Sequence, residues 1–312
     1  MRFDQYAFVL NLYKYEGPLP IAISDTVELD FSTLDQSQRI QELLGYYGHT
    51  PRSGSWLYTV EPVDEVPIGS HFFTPIPPDR VKFWVLNFSG DAMPIWRLSS
   101  ATQLTNAQLE IAATFNPAQG NSINQLEPAR LFHFWEQHRQ PVSQPLNAGD
   151  LHSAAAYRDT MESLAASNEE AAQAVVRVYS DFVRLSMGPR SGELVLLGHF
   201  GLIEALITHN PNEFGDSLNH QLSTKMPLLM RRFGVPLQPS EYFLITDPNR
   251  AWKKLYNIRS KIAHGEGVDI RPGALKELRD IDTVFKFVRE ALKRLLIYAI
   301  DDPEFIFDLK KC

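Results

Sequence analysis

The stretch NRAWKKLYNIRSKIAHG (249–265) carries five basic residues, Arg250, Lys253, Lys254, Arg259 and Lys261, and no acid. On a helical wheel at about 100° per residue, Arg250, Lys253, Lys254, Asn257 and Lys261 share one face. Trp252, Leu255, Tyr256 and Ile262 share the opposite face, and Arg259 sits in the middle of that apolar stripe. A guanidinium keeps its proton at every accessible pH, so burying it unpaired costs several kcal/mol. Arg259 therefore requires a carboxylate, an anion or an open groove. Glu204, Asp280 and Asp282 are the acids that could supply an internal partner. The segment predicts a helix that ends at Ala263-His264, with Gly265 suited to the left-handed position that closes a helix.

Outward from this helix the second half of the chain is helical. The segments 151–167 and 168–187 have helical spacing, the second with Asn168 as a candidate N-cap. SGELVLLGHFGLIEALITHN (191–210) is almost continuously apolar and predicts a central helix covered on most sides. Further helices are expected from about 215 to 233, 248 to 263 and 272 to 300. Short connections between long helices predict an all-α up-and-down bundle.

The first half reads differently. AFVLNLYKY (7–15), AISDTVELDF (22–31), VKFWVLNF (81–88) and MPIWRL (93–98) have strand character. SQRIQELLGYYG (37–48), LTNAQLEIAATF (104–115) and LEPARLFHFWEQH (126–138) have helical character. Residues 1–150 hold 9 Lys/Arg against 16 Asp/Glu and 13 of the 21 prolines, whereas the remainder is balanced at 21 of each sign. QPVSQPLNAGD (140–150) is the natural seam. The expected fold class is α+β: a β-rich domain over 1–147, then a helical bundle over 148–312.

Composition excludes several function classes. One cysteine, Cys312, leaves no intramolecular disulfide and no multi-cysteine zinc site. That usage fits the cytoplasm. No apolar run approaches the roughly 18 residues of a membrane span, so no membrane is expected as a partner, and the N-terminal stretch does not resemble a signal peptide. His133, His138, His199, His209 and His220 lack metal-ligand spacing, and glycine-rich phosphate loops and G-x-S-x-G elbows are absent. No metal and no cofactor is expected. The net charge of -7 offers no general attraction to nucleic acid.

His264 emerges five residues after Arg259, where the helix ends. An imidazole moves protons at neutral pH, and a fixed guanidinium stabilises charge growing on phosphoryl oxygens. YNIRSKIAHG (256–265) resembles the R-x4-H motif of the HEPN superfamily, and more narrowly its Apea-like branch. GLIEALI (201–207), followed by a helix carrying Arg231-Arg232, adds to the resemblance, which covers roughly 160–300. It implies a HEPN-type bundle that dimerises through the helical domain around a composite cleft. It also implies a metal-independent endoribonuclease of toxin or phage-defence type, giving 2′,3′-cyclic phosphate and 5′-hydroxyl ends. Arg259 and His264 would be catalytic, with Glu204 orienting Arg259. Tyr256, Asn257, Ser260, Lys261, Lys253 and Lys254 would contact RNA. Serine at 260 departs from the Asn, Asp or His common at that position in active members, so a non-catalytic HEPN module binding RNA, nucleotide or a protein stands beside the nuclease. A structural salt bridge of Arg259 and a helix-terminal His264 would mark a scaffold. The tryptophans of the first half, Trp56, Trp84 and Trp96, fit either an ordinary core or a surface for a protein or phage ligand.

Overall fold

Alternation and β-branching in the first half build a six-stranded antiparallel sheet. A computed structural model describes residues 3–11, 13–47, 58–62, 71–75, 77–119, 122–127, 131, 144–186, 192–210, 216–270 and 273–312. The architecture is α+β, with an N-terminal antiparallel sheet and a C-terminal helical region. The chain divides into two units, Met1–Ala156 and Tyr157–Cys312, a boundary nine residues beyond the expected one and inside a helix.

In the first unit, β1 (Gln5–Val9), β3 (Ile21–Ser24), β4 (Val27–Phe31), β7 (Trp84–Phe88), β8 (Ile111–Asn116) and β9 (Ser122–Leu126) form one sheet. Its strand order is β3-β4-β7-β1-β8-β9. A short β2 (Tyr13–Lys14) pairs with β10 (Gln144–Pro145), and β5 (Tyr58–Pro62) pairs with β6 (His71–Pro75). The central β1 is buried from Tyr6 to Val9. Helix α1 (Leu34–Tyr47) packs Ile40, Leu43 and Leu44 against Phe8, Phe83 and Phe115. A reciprocal pair starts this helix: Thr33 N–H donates to Gln36 Oε1, and Gln36 N–H donates to Thr33 Oγ1. Trp84 is core, ring to ring with Tyr13 and Phe31, and Trp96 is half-buried. Trp56 lies outside the described residues.

Three readings of this half are corrected. The segment 22–31 is a hairpin, β3 and β4, folded at Asp25-Thr26. MPIWRL, expected as a strand, is the start of helix α2 (Met93–Ala101). Asp91 Oδ1 accepts the Met93 N–H and Pro94 stands in the first turn, a helix start that outweighs the β-leaning side chains. LTNAQLEIAATF, expected as a helix, gives strand β8 over its second half. Ser99 Oγ donates to Leu109 O and Thr102 Oγ1 accepts the Leu109 N–H, so the chain is pinned before it enters the sheet between β1 and β9. A strand buried on both faces is apolar throughout, which periodicity cannot separate from a buried helix. Most of the helix expected over 126–138 lies outside the described residues; Leu126 ends β9 and Leu131 is helical.

Helix α3 (Ala148–Ala166) leads into the second unit, which holds α4 (Glu170–Ser186), α5 (Glu193–Ile207) and α6 (Leu218–Arg232). These are followed by α7 (Pro239–Tyr242), α8 (Pro248–Ala263), α9 (Ile281–Asp301) and α10 (Pro303–Lys311). Asn168 does not cap α4: the helix starts at Glu170, and Ser167 Oγ accepts the Glu169 N–H. The expected single helix over 272–300 is broken. A 3-10 segment (Gly273–Leu278) ends at Arg279, whose φ is +65°, and Asp280 then caps α9 by accepting the Thr283 N–H at 2.7 Å. The apolar α5 is central, with α4, α6, α8, α9 and α10 against it. Among the described residues no helix is long and apolar enough to cross a membrane.

Candidate functional site

Helix α8 is defined at both ends by local chemistry. Asp247 accepts the Asn249 N–H at 3.0 Å and Pro248 occupies the first turn. At the other end Gly265 N–H donates to Ile262 O (3.0 Å) and Glu266 N–H to Lys261 O (2.9 Å). This is the paired closure that requires the left-handed φ of +73° at Gly265. The helix buries Ala251, Trp252, Leu255, Ile258 and Ile262 against α6 and α5. Trp252 is fully buried, with Nε1 toward Met230 Sδ at 3.0 Å and its ring 5.9 Å from Phe287.

Arg259 shares this packed side, and its partner is Glu204, in the last turn of α5. Nε donates to Oε1 and Nη2 to Oε2, both at 2.9 Å, a bidentate fork. The Arg259 side chain is 23% exposed and that of Glu204 12%. The Tyr256 ring lies 5.8 Å from the guanidinium carbon. Nη1 has no hydrogen-bond partner among the described residues. Of the three acids weighed from sequence, Glu204 is the one in contact, while Asp280 caps α9.

His264 is the closing residue of α8, exposed, with its N–H bonded to Ser260 O and Lys261 O. No hydrogen bond joins its imidazole to any described residue. Five residues of helix separate it from Arg259 by about 140° around the axis and about 7.5 Å along it. One copy of the chain therefore turns the guanidinium toward α5 and the imidazole toward solvent. Asn257 and Lys253 are exposed, and Ser260, Lys261 and Tyr256 are half-buried. Around the axis Tyr256, Ser260 and Lys253 fall between the two, and Asn257 and Lys261 fall beyond His264.

The basic face is smaller than its sequence implies. Glu277 takes both Arg250 (2.8 Å) and Lys254 (3.2 Å), and the Lys254 side chain is only 13% exposed. Lys254 is thus a weak choice for a substrate contact, and Lys253 and Lys261 remain as the cations without an ion-pair partner among the described residues. Sequence reasoning missed Glu277 because it stands 23 and 27 residues from its partners, in a segment expected to continue α9. No group of three or more His, Cys, Asp or Glu able to hold a metal occurs among the described residues. No family model, curated protein or solved structure matches the chain.

The fork has a measurable consequence for folding. Glu204→Ala and Arg259→Ala are each expected to cost about 1–3 kcal/mol, because each leaves a half-buried charge without its partner. In the double variant the two costs should fall short of their sum by about 1–2 kcal/mol, read from urea unfolding. Strict additivity would mean that the fork contributes nothing to stability.

Proposed function

We propose that this face of α8 is a metal-independent RNA-cleaving site of the HEPN type, completed by a second copy of the chain. The observation that carries the reading is the oriented fork: Glu204 holds Nε and Nη2, which leaves Nη1 of a partly open guanidinium for an anionic oxygen. In the reaction His264 takes the proton of a ribose 2′-hydroxyl, and the 2′ oxygen attacks the adjacent phosphorus. The bond from phosphorus to the 5′ oxygen breaks, and the leaving oxygen receives a proton from the same histidine of the second copy. Arg259 Nη1 donates to a non-bridging oxygen as charge accumulates there. The products are a 2′,3′-cyclic phosphate and a 5′-hydroxyl. Lys253 and Lys261 neutralise neighbouring phosphates, Tyr256 and Ser260 lie around the helix between the two catalytic groups, and Asn257 stands beside His264. In a toxin or phage-defence setting in the cytoplasm, the N-terminal unit would bind the protein or phage ligand that controls cleavage.

The same fork favours a second reading. A carboxylate on two of three guanidinium nitrogens cancels much of the charge, which suits a module that binds RNA, nucleotide or a protein partner without cutting. Incubating the protein with total RNA in EDTA separates the two. The nuclease predicts cyclic-phosphate ends that disappear in Arg259→Ala and His264→Ala. Intact RNA, with binding weakened only by Arg259→Ala, supports the module, and neither cleavage nor binding removes both and leaves the scaffold, which the Arg259–Glu204 pair and the helix-end His264 also fit.

A further inference from the structure

One residue, Asp302, separates α9 from helix α10. The Asp302 N–H closes α9 on Tyr298 O, and its side chain caps α10 by accepting the Phe305 N–H at 3.1 Å. Pro303 disfavours helical geometry at Asp302, whose φ and ψ are −142° and 78°, so the two helices cannot merge. Helix α10 seats on α4, α5 and α9, with Arg232 over the Phe305 ring at 5.2 Å. Ile306 is its one fully buried side chain, and Phe305 adds an edge contact to Tyr298 at 5.6 Å. Beneath it runs a gap of ≈ 20 Å³ lined by Ala174, Val178, Leu206, Ile306 and Phe307.

The far end of α10 is tied to the last turn of α5. Lys310 Nζ donates to Ala205 O at 2.8 Å, and His209 Nδ1 faces Lys310 O at 3.2 Å. Helix-end carbonyls have no partner within the helix, and here Lys310 takes that of Ala205 while Lys225 takes that of Ile207 at 2.9 Å. Ala205 directly follows Glu204, the residue that holds Arg259. A nine-residue helix has little stability of its own, and with one fully buried side chain against the many of α9 it opens more readily than α9.

We propose that α10 is a releasable strap: undocked, it lets the last turn of α5 and the Glu204–Arg259 fork loosen, and docked, it fixes both so that Nη1 stays presented to an anion. The last clause rests on the reading of Arg259 given above. Hydrogen exchange in the full chain tests it without RNA. Amides 304–311 are expected to exchange on the order of a hundredfold faster than the α9 core. Ile306→Asp should speed amides 205–208 and the Arg259 side-chain Nε–H roughly tenfold while leaving α9 unchanged. Lys310→Met retains the apolar seat and should speed 205–208 alone, so it decides the matter if Ile306→Asp does not fold. Exchange of α10 in step with α9, 205–208 unaltered in Lys310→Met, or an Arg259 Nε–H indifferent to release each overturns the strap. Failure of every variant to cleave RNA removes the nuclease and leaves these exchange results standing.

Discussion

His264→Ala is expected to lower RNA cleavage at least about 100-fold while the melting temperature stays where it was. The first half follows from the role of a proton-transfer group, which contributes about 10²–10⁴ in rate. The second follows from its position, because the imidazole is exposed at the end of α8 and has no hydrogen-bond partner among the described residues. The closure of the helix depends on backbone bonds at Gly265 and Glu266, which alanine at 264 leaves intact. Arg259→Ala behaves differently: cleavage falls comparably, and folding weakens too, because the Glu204 carboxylate loses both bonds of its fork. The pair of variants distinguishes a catalytic residue from a structural one. Equal activity in wild type and His264→Ala, with cleavage present, would remove the histidine from the mechanism.

The second large effect is an acid sensitivity located at His199 of α5. The residue is buried, its Nδ1 has no hydrogen-bond partner among the described residues, and its ring lies 5.1 Å from Phe285 of α9. Burial, and then the positive charge of Arg289, lower its pKa from 6.5 to about 4. The folded chain thus keeps the ring neutral in a range where the unfolded chain protonates it. Below pH 6.5 the unfolded state binds the extra proton and stability falls, and the loss is complete near pH 4. At 1.36 kcal/mol per unit this is worth about 3 kcal/mol. His199→Leu should therefore shrink the difference in unfolding free energy between pH 7 and pH 4 by about that amount. An unchanged difference would place the acid sensitivity elsewhere.

Legibility in the sequence followed the range of the interactions involved. Helix α8 was readable over most of its length, because Gly265 acts within one turn of its end and Trp252, Leu255 and Ile262 mark its buried stripe. The oddity of Arg259 was readable for the same reason, since a charge on an apolar stripe is a local fact. The strand at 111–116 was not. Ile111 to Phe115 satisfy a helix as readily as a central strand until β1 and β9 supply the pairing. The helix at 93–101 hides behind β-leaning side chains, and its start depends on Asp91 and Pro94.

The amino-acid pattern alone settled that a strand-rich half precedes a helical one, where α8 starts and stops, and that Arg259 needed a carboxylate, an anion or an open groove. Which counter-charge it takes was a matter for tertiary packing. Glu204 lies 55 residues away, and only the seating of α8 beside the end of α5 brings its carboxylate within 2.9 Å of the guanidinium. The loss of Arg250 and Lys254 to Glu277 has the same origin. Hydrogen bonds within a turn are written into neighbouring residues, whereas ion pairs between helices depend on how apolar faces pack, and a linear pattern does not contain that geometry.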